Sequence, residues 1–357
     1  MVRRECHARA AIINKRHSSD VIHPTSRRSG VPPPPSTPFA RLSPDVVLDA
    51  AASVGFEGDG RLLALNSYEN RVYQLGCCTR VLVLKFYRPA RWSDAQIAEE
   101  HTFTQELAAA ELPVAAPLAV EGQTLFRYAE FRFAVFPWMR GRPPELDGPD
   151  ARAMLGRALA RIHRIGAVSA FRERPRLTIE RLGYAAREAV LASGLVPEGL
   201  ESRYAQVAER LIARIEEVFR QAGTVGYVRI HGDCHLGNLL WNEHGPVFVD
   251  LDDCMSGPRI QDLWMLLSGA PFEQQRQWAE LLEGYQQFAE FDFRELRLIE
   301  PLRGLRMLHH AAWVAQRWLD PAFPRAFPWF GEARNWESYV TDLAEQSINI
   351  EDQPLLQ

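Results

Sequence analysis

His231-Gly-Asp-Cys-His-Leu-Gly-Asn238, followed twelve residues later by the acid of Val247-Phe-Val-Asp250-Leu-Asp-Asp253, decides how this 357-residue chain is read. A β-like run, Tyr227-Val-Arg-Ile230, leads into it. An apolar exit, Leu239-Leu-Trp241, and a Gly245-Pro246 turn lead to a second β-like run. Moving a γ-phosphoryl group needs one carboxylate near the attacking hydroxyl, plus an amide oxygen and a second carboxylate for the Mg²⁺ that neutralises phosphate charge. Asp233, Asn238 and Asp250 supply those groups in that order. The tripeptide His-Gly-Asp alone reads more readily as a turn between two strands, with the aspartate capping the segment that follows. It is the strand, loop and strand around it that give the reactive reading its weight.

Of 41 lysines and arginines, only Lys15 and Lys85 are lysines. Lys85 lies in Val81-Leu-Val-Leu-Lys85-Phe-Tyr87, an apolar strand-like run where a charge is costly to bury unless it is paired. A compact ammonium there can touch the α- and β-phosphates of a nucleotide while pairing with a helix glutamate, a task the wide guanidinium fork fits badly. A lysine on a solvated edge strand is the plainer alternative. The glutamate is expected on the next helix, from Ser93 to Leu107, which Ser93 or Asp94 can cap. Ile97, Phe103 and Leu107 mark its buried side, and Glu100 falls on that side in preference to Glu99. Upstream, Leu65-Asn-Ser67-Tyr-Glu-Asn70-Arg-Val-Tyr-Gln-Leu-Gly76 is a polar turn between apolar runs and lacks the glycines of a usual phosphate-covering hairpin. The Ser67 hydroxyl can bond to phosphate or to the loop itself.

Further on, Arg132-Phe-Ala-Val-Phe136 looks like the last strand of a first lobe. Ala151 to His163 has the apolar spacing of a core helix, and His163 reads as a core or helix-end histidine rather than a base. Asp262 follows the Gly257-Pro258 turn, either holding the reactive loop by its backbone amides or favouring a helix start. His309, His310, Trp313, Trp318, Trp329 and Trp336 could wall a substrate pocket, or pack long helices.

Composition sets limits. The chain is 46% hydrophobic and 24% charged, ordinary for a globular protein. Its net charge of -4 disfavours nucleic acid as the main partner, and no run of about twenty apolar residues marks a membrane span. Five cysteines without a Cys-x-x-Cys pair point to reduced thiols. Cys234 sits within the reactive loop, where its oxidation would disturb metal binding. Residues 1–37, with seven Lys/Arg and the run Val31-Pro-Pro-Pro-Pro35, read as a disordered Arg/Pro-rich extension, with an organelle-transit or partner-binding role as alternatives.

The Asp-x4-Asn interval resembles the catalytic loop of protein kinases, although Gly232 stands where their arginine is usual and Asp-Leu-Asp replaces Asp-Phe-Gly. Both departures resemble the kinase-like phosphotransferases that include aminoglycoside, choline and homoserine kinases. Asn66-Ser-Tyr-Glu-Asn-Arg-Val-Tyr-Gln74, Lys85-Phe-Tyr-Arg-Pro-Ala-Arg-Trp92, Pro113-Val-Ala-Ala-Pro117, Gln261-Asp-Leu-Trp-Met-Leu-Leu267 and Asp320-Pro-Ala-Phe-Pro324 narrow the likeness to the bacterial stress response kinase A (YihE-type) family, over residues 38 to 345. The resemblance implies a cytoplasmic, monomeric, ATP- and Mg²⁺-dependent kinase acting on serine or threonine hydroxyls of proteins, itself included. It makes Asp233 the catalytic carboxylate, Asn238 and Asp250 the Mg²⁺ ligands, Lys85 and Glu100 the phosphate-positioning pair, and Ser67 part of the phosphate loop. Pro137 and Met139, in the hinge Pro137-Trp-Met-Arg-Gly141, would bond the adenine edge.

The fold expected is therefore α+β, a bilobal protein-kinase-like fold with a small β-rich N-lobe (38–136), a hinge (137–141), a larger mainly helical C-lobe (142–345) and a tail (346–357). A small-molecule hydroxyl kinase on the same fold is the rival, since fold does not decide substrate. An acidic pocket for an amine would favour it, and Asp252 and Asp253 keep it open. A binding module without activity is the third reading, opposed by the complete set of Lys85, Glu100, Asp233, Asn238 and Asp250.

Overall fold

Ser43 starts the first helix: its hydroxyl accepts a hydrogen bond from the Val46 amide, and proline occupies the first helical position of α1 (Pro44–Ser53). In this computed structural model, which describes residues 38–352, α1 packs Val47, Ala50 and Ala51 into a core shared with a five-stranded antiparallel sheet. The strands are β1 (Leu62–Leu65), β2 (Arg71–Gly76), β3 (Val81–Phe86), β4 (Phe126–Tyr128) and β5 (Phe131–Pro137), in the order β1-β2-β3-β5-β4. Period-2 alternation sends Leu82, Leu84 and Phe86 into that core, where Phe86 stacks on Phe133. It sends Lys85, opposite Ala134 and Val72 in the ladder, to the other face. Helix α2 (Asp94–Ala109) opens on a capping box in which Ser93 and Gln96 satisfy each other's backbone amides, and it buries Ile97, Glu100, Phe103 and Leu107 as its periodicity predicts.

The described chain falls into two compact units. One holds the residues up to Ala158 with Cys234–Asp252 and Met265–Gly284, and the other holds Leu159–Asp233, Asp253–Trp264 and the residues from Tyr285 on. The first unit reaches beyond the expected N-lobe of 38–136 because the hairpin of β7 (Leu239–Asn242) and β8 (Gly245–Phe248) is hydrogen-bonded to it. Phe248 N–H donates to Pro113 O (2.8 Å), and Ala115 N–H donates to Phe248 O (3.1 Å).

The helix predicted around Ala151–His163 is α3 (Pro149–Gly166). Helices α4 (Ala185–Ala192) and α5 (Glu201–Ala222) follow in the second unit. Tyr204, Val207, Ala208, Leu211, Ile212, Ile215 and Val218 line one face of α5 at helical spacing. The ladder of β6 (Tyr227–Ile230) with β9 (Met255–Pro258) leads to the short α6 (Ile260–Trp264), and α7 (Pro271–Tyr285) comes next. Helices α8 (Ile299–Gln316), α9 (Ala322–Ala326) and α10 (Ala333–Asp352) close the chain, with α10 and α8 packed on α5. The tail expected from residue 346 is helical through Asp352, since α10 still buries Gln346 and Ile350. The expected extension over 1–37 and the last five residues of the tail lie outside the described residues.

Candidate active site

Lys85 is buried on β3, with its side chain 8% exposed, and its ammonium meets two carboxylates: Asp250 Oδ1 at 2.7 Å and Asp252 Oδ1 at 3.0 Å. Burial by itself would push its pKa down, but Asp250, Asp252 and then Glu100 outweigh it and hold the ammonium well above its ordinary range. Glu100 is buried on α2 and acts on Lys85 at the distance of a field; the direct partners of Lys85 are the two aspartates. Two carboxylates at the end of the β7–β8 hairpin thus join the expected Glu100 in holding the charge of Lys85.

Two devices put those aspartates there. Val249 N–H donates to Asn238 O (3.1 Å), joining the residue before Asp250 to Asn238 at the open end of the hairpin. Asp250 then takes a left-handed backbone (φ 58°), a conformation that aspartate tolerates better than most residues. Asp252 is 4% exposed, and Arg91 and the Asn70 amide (3.0 Å) share its second oxygen. Asn70 also accepts from Arg88 N–H (3.0 Å), and Arg88 pairs with Glu69 (3.1 Å). The turn between β1 and β2 is therefore braced by Asn70 and Asp252 where a glycine-rich hairpin would be expected. The Ser67 hydroxyl donates to Asn70 O (3.0 Å), the loop-bonding alternative. Pro137 closes β5 opposite Leu82, Trp138 N–H donates to Val81 O (3.3 Å), and Met139 follows, half-buried.

Asp233 lies in the second unit, at the point where the chain passes to the first at Cys234. Its loop hangs on Asp262 of α6, which accepts from His231 N–H and Gly232 N–H, both at 2.8 Å. Asp262 is held in turn by His163 Nε2 (3.2 Å), whose Nδ1 meets the Tyr285 hydroxyl (2.9 Å). His163 is thus a buried core histidine, and the loop-holding reading of Asp262 is the one its contacts favour. Gly232 has φ 85°, and a Cβ there would stand 2.3 Å from Asp253 O, which accounts for glycine where protein kinases carry arginine. The Asp233 carboxylate receives a charged hydrogen bond from Arg306 of α8, Nη1 to Oδ1 at 2.5 Å. One turn on from Arg306, burial pushes His310 down to about 4, with Arg306 adding to the effect and Asp233 opposing it. Cys234 is fully buried, which shields the thiol from the oxidation considered for it.

The sequence did not mark Asn70, Arg91 or Arg306, and it offered Asp252 as part of an amine pocket rather than as a partner of Lys85. The first two stand in the strings shared with the family, at Asn66–Gln74 and Lys85–Trp92, and so carried a signal. Arg306 is one arginine among many and carried none.

The residues that could hold a divalent cation here are Asn238 and Asp250. Asp250 has its side chain 54% exposed despite its contact with Lys85. Two protein ligands suit Mg²⁺, which keeps several waters and takes its other oxygens from phosphates. Among the described residues no group of three His, Cys, Asp or Glu side chains competes as a metal cluster.

The model of the phosphotransferase enzyme family matches residues 61–299. Stress response kinase A of Escherichia coli strain K12 is 44% identical over 318 residues, 89% of this chain and 96% of that protein. The serine/threonine protein kinase RdoA of Salmonella typhimurium is 42% identical over the same shares. Among solved structures, an amicoumacin kinase in complex with AMP-PNP and Ca²⁺ has a TM-score of 0.68 at 18% identity, covering 89% of this chain and 96% of its own. The α+β, bilobal kinase-like class expected from the sequence is the fold these proteins share, and the chain belongs to the phosphotransferase enzyme family and, within it, to the stress response kinase A group.

Proposed function

We propose that this phosphotransferase is an ATP- and Mg²⁺-dependent serine/threonine protein kinase that also phosphorylates itself, acting as a monomer in the cytoplasm. The observation that carries the phosphoryl-transfer part is the buried Lys85 held between Asp250 and Asp252, with Asn238 tied to the same hairpin end. Lys85 would bind the α- and β-phosphates, with Glu100 contributing negative field behind it. Asn238 and Asp250 would hold Mg²⁺, which when bound neutralises charge on the phosphates. Asp233, oriented through Asp262, accepts the proton of the acceptor hydroxyl as its oxygen bonds to the γ-phosphorus and the bond to ADP breaks. Ser67 would act in the phosphate loop, and Pro137 and Met139 at the adenine edge.

Two observations favour a protein acceptor over an amine. The names of the relatives at 42–44% identity support it. So does the charge beside Asp233, which is the guanidinium of Arg306; Asp252, which had kept an amine pocket open, is engaged by Lys85 and Arg91. The low-identity neighbour named for amicoumacin keeps the rival reading testable. The protein is incubated with γ-labelled ATP and Mg²⁺, alone and with a protein acceptor, beside Asp233→Asn. Label on protein with the parent alone is expected. ATP consumption that requires added amines or sugars, with no labelled protein, would overturn the proposal.

A further inference from the structure

The charges on α8 are distributed in a way that phosphoryl transfer by itself does not require. Between Ile299 and Gln316 its acidic residue is Glu300, which is engaged by Arg303 (3.1 Å) and Gln346 (2.8 Å). Against it stand Arg303 and Arg306, with Arg317 capping the helix end, while burial holds the rings of His309 and His310 uncharged at neutral pH. Arg306, His310, Trp313 and Arg317 are spaced four, three and four residues apart, which places them on one face. Contacts lie at both ends of that face. Arg306 meets Asp233, the His310 ring lies 5.6 Å from that of Trp313, and the Arg317 guanidinium stands 5.7 Å over the same indole while donating to Trp313 O (3.2 Å). Arg306 is 41% exposed, and the other three are half-buried. Positive charge from Arg181 and Arg317 reaches His309 beside them, opposed by Asp253.

A basic and aromatic ridge that begins at the catalytic carboxylate repels a cationic acceptor and suits an acidic, extended one. Guanidinium forks pair with carboxylates in two-point geometry, and the Trp313 indole, packed against Phe323 (4.9 Å) and Phe327 (5.5 Å), supports the Arg317 guanidinium. We propose that Arg306 and Arg317 form the docking surface for acidic residues flanking the acceptor serine or threonine, with His310 and Trp313 as the packed support between them and Arg306 exchanging Asp233 for the nearest substrate carboxylate. This rests on the protein-kinase reading and names its substrate class.

The test uses three synthetic serine peptides alike in length, flanked by Asp/Glu, by Ala or by Arg, at saturating Mg-ATP. They are tried with the full chain and with Arg317→Glu, Arg317→Lys and Arg306→Gln. The parent is expected to favour the acidic peptide over the neutral one by about tenfold in kcat/KM, through KM, and to lose that advantage in added salt. The preference should collapse in Arg317→Glu and Arg306→Gln and survive in Arg317→Lys. Because it is a ratio measured within each protein, partial unfolding of a variant cannot imitate its loss. Labelling of peptides without an acidic preference, or a preference that persists in Arg317→Glu, would overturn the docking surface and leave the protein-kinase reading intact. If the parent labels no peptide and no protein, itself included, while phosphorylating a small alcohol, both fall together.

Discussion

Lys85 stays ionised inside the first unit because two carboxylates meet it there. Replacing it by methionine would leave the buried Asp252 without the ammonium that meets its Oδ1. Loss of one side of a buried ion pair is expected to cost about 3 kcal/mol, read from urea unfolding, together with loss of ATP binding by calorimetry. Asp233→Asn should behave differently. Its side chain is partly exposed, so the fold should persist while labelling falls by about 10²–10⁴-fold, the range for a lost general base. Gly232→Ala tests backbone alone: with φ at 85° and Asp253 O in the way, it should lower both the thermal midpoint and kcat without touching a reacting group.

At the scale of elements, the short α6 matters more than its five residues suggest. It carries Asp262, whose two oxygens satisfy the buried amides of His231 and Gly232. Asp262→Ala would strand both amides, at about 1–3 kcal/mol each. It should reduce kcat strongly while leaving KM for ATP near that of the parent, since the residues proposed to bind the nucleotide sit on β3, α2, the β1–β2 turn, the end of β5 and the β7–β8 hairpin, none of which Asp262 touches. A KM that rises in step with the fall in kcat would count against this division of labour. The helices were legible because their apolar spacing is local, as α2 and α3 show. The brace between Asn70 and Asp252 was not, for it joins residues 182 positions apart and neither residue type announces a partner at that separation.

For the whole molecule, buried titratable groups set the pH response of stability. His309 and His310 are pushed down to about 4 from an ordinary 6.5, first by burial. Their unfolded forms therefore bind protons that the folded forms refuse, and stability falls as pH drops from about 6.5 towards 4. Glu295 runs the other way. Burial raises it from 4.5 to about 7, so its contribution is complete below pH 4.5 and is lost as pH rises through 7. Two histidines outweigh one glutamate, and these groups together predict acid sensitivity between pH 6.5 and 4.5. In urea midpoints measured against pH, Glu295→Gln should steepen that decline and His310→Asn should flatten it.

What the sequence by itself determined was chemical type and local form. A carboxylate, an amide and a second carboxylate in an Asp-x4-Asn loop and an acid after a β-like run, one lysine in an apolar strand, and the helices around them are properties of neighbours along the chain. Tertiary structure alone decided who meets whom: Asp250 and Asp252 on Lys85, Arg306 on Asp233, Asp262 under the loop. The physical reason is that an ionic or hydrogen-bonding group is satisfied by whatever complementary group folding brings within about 3 Å. Periodicity records which face is buried, but says nothing about which distant side chain arrives there.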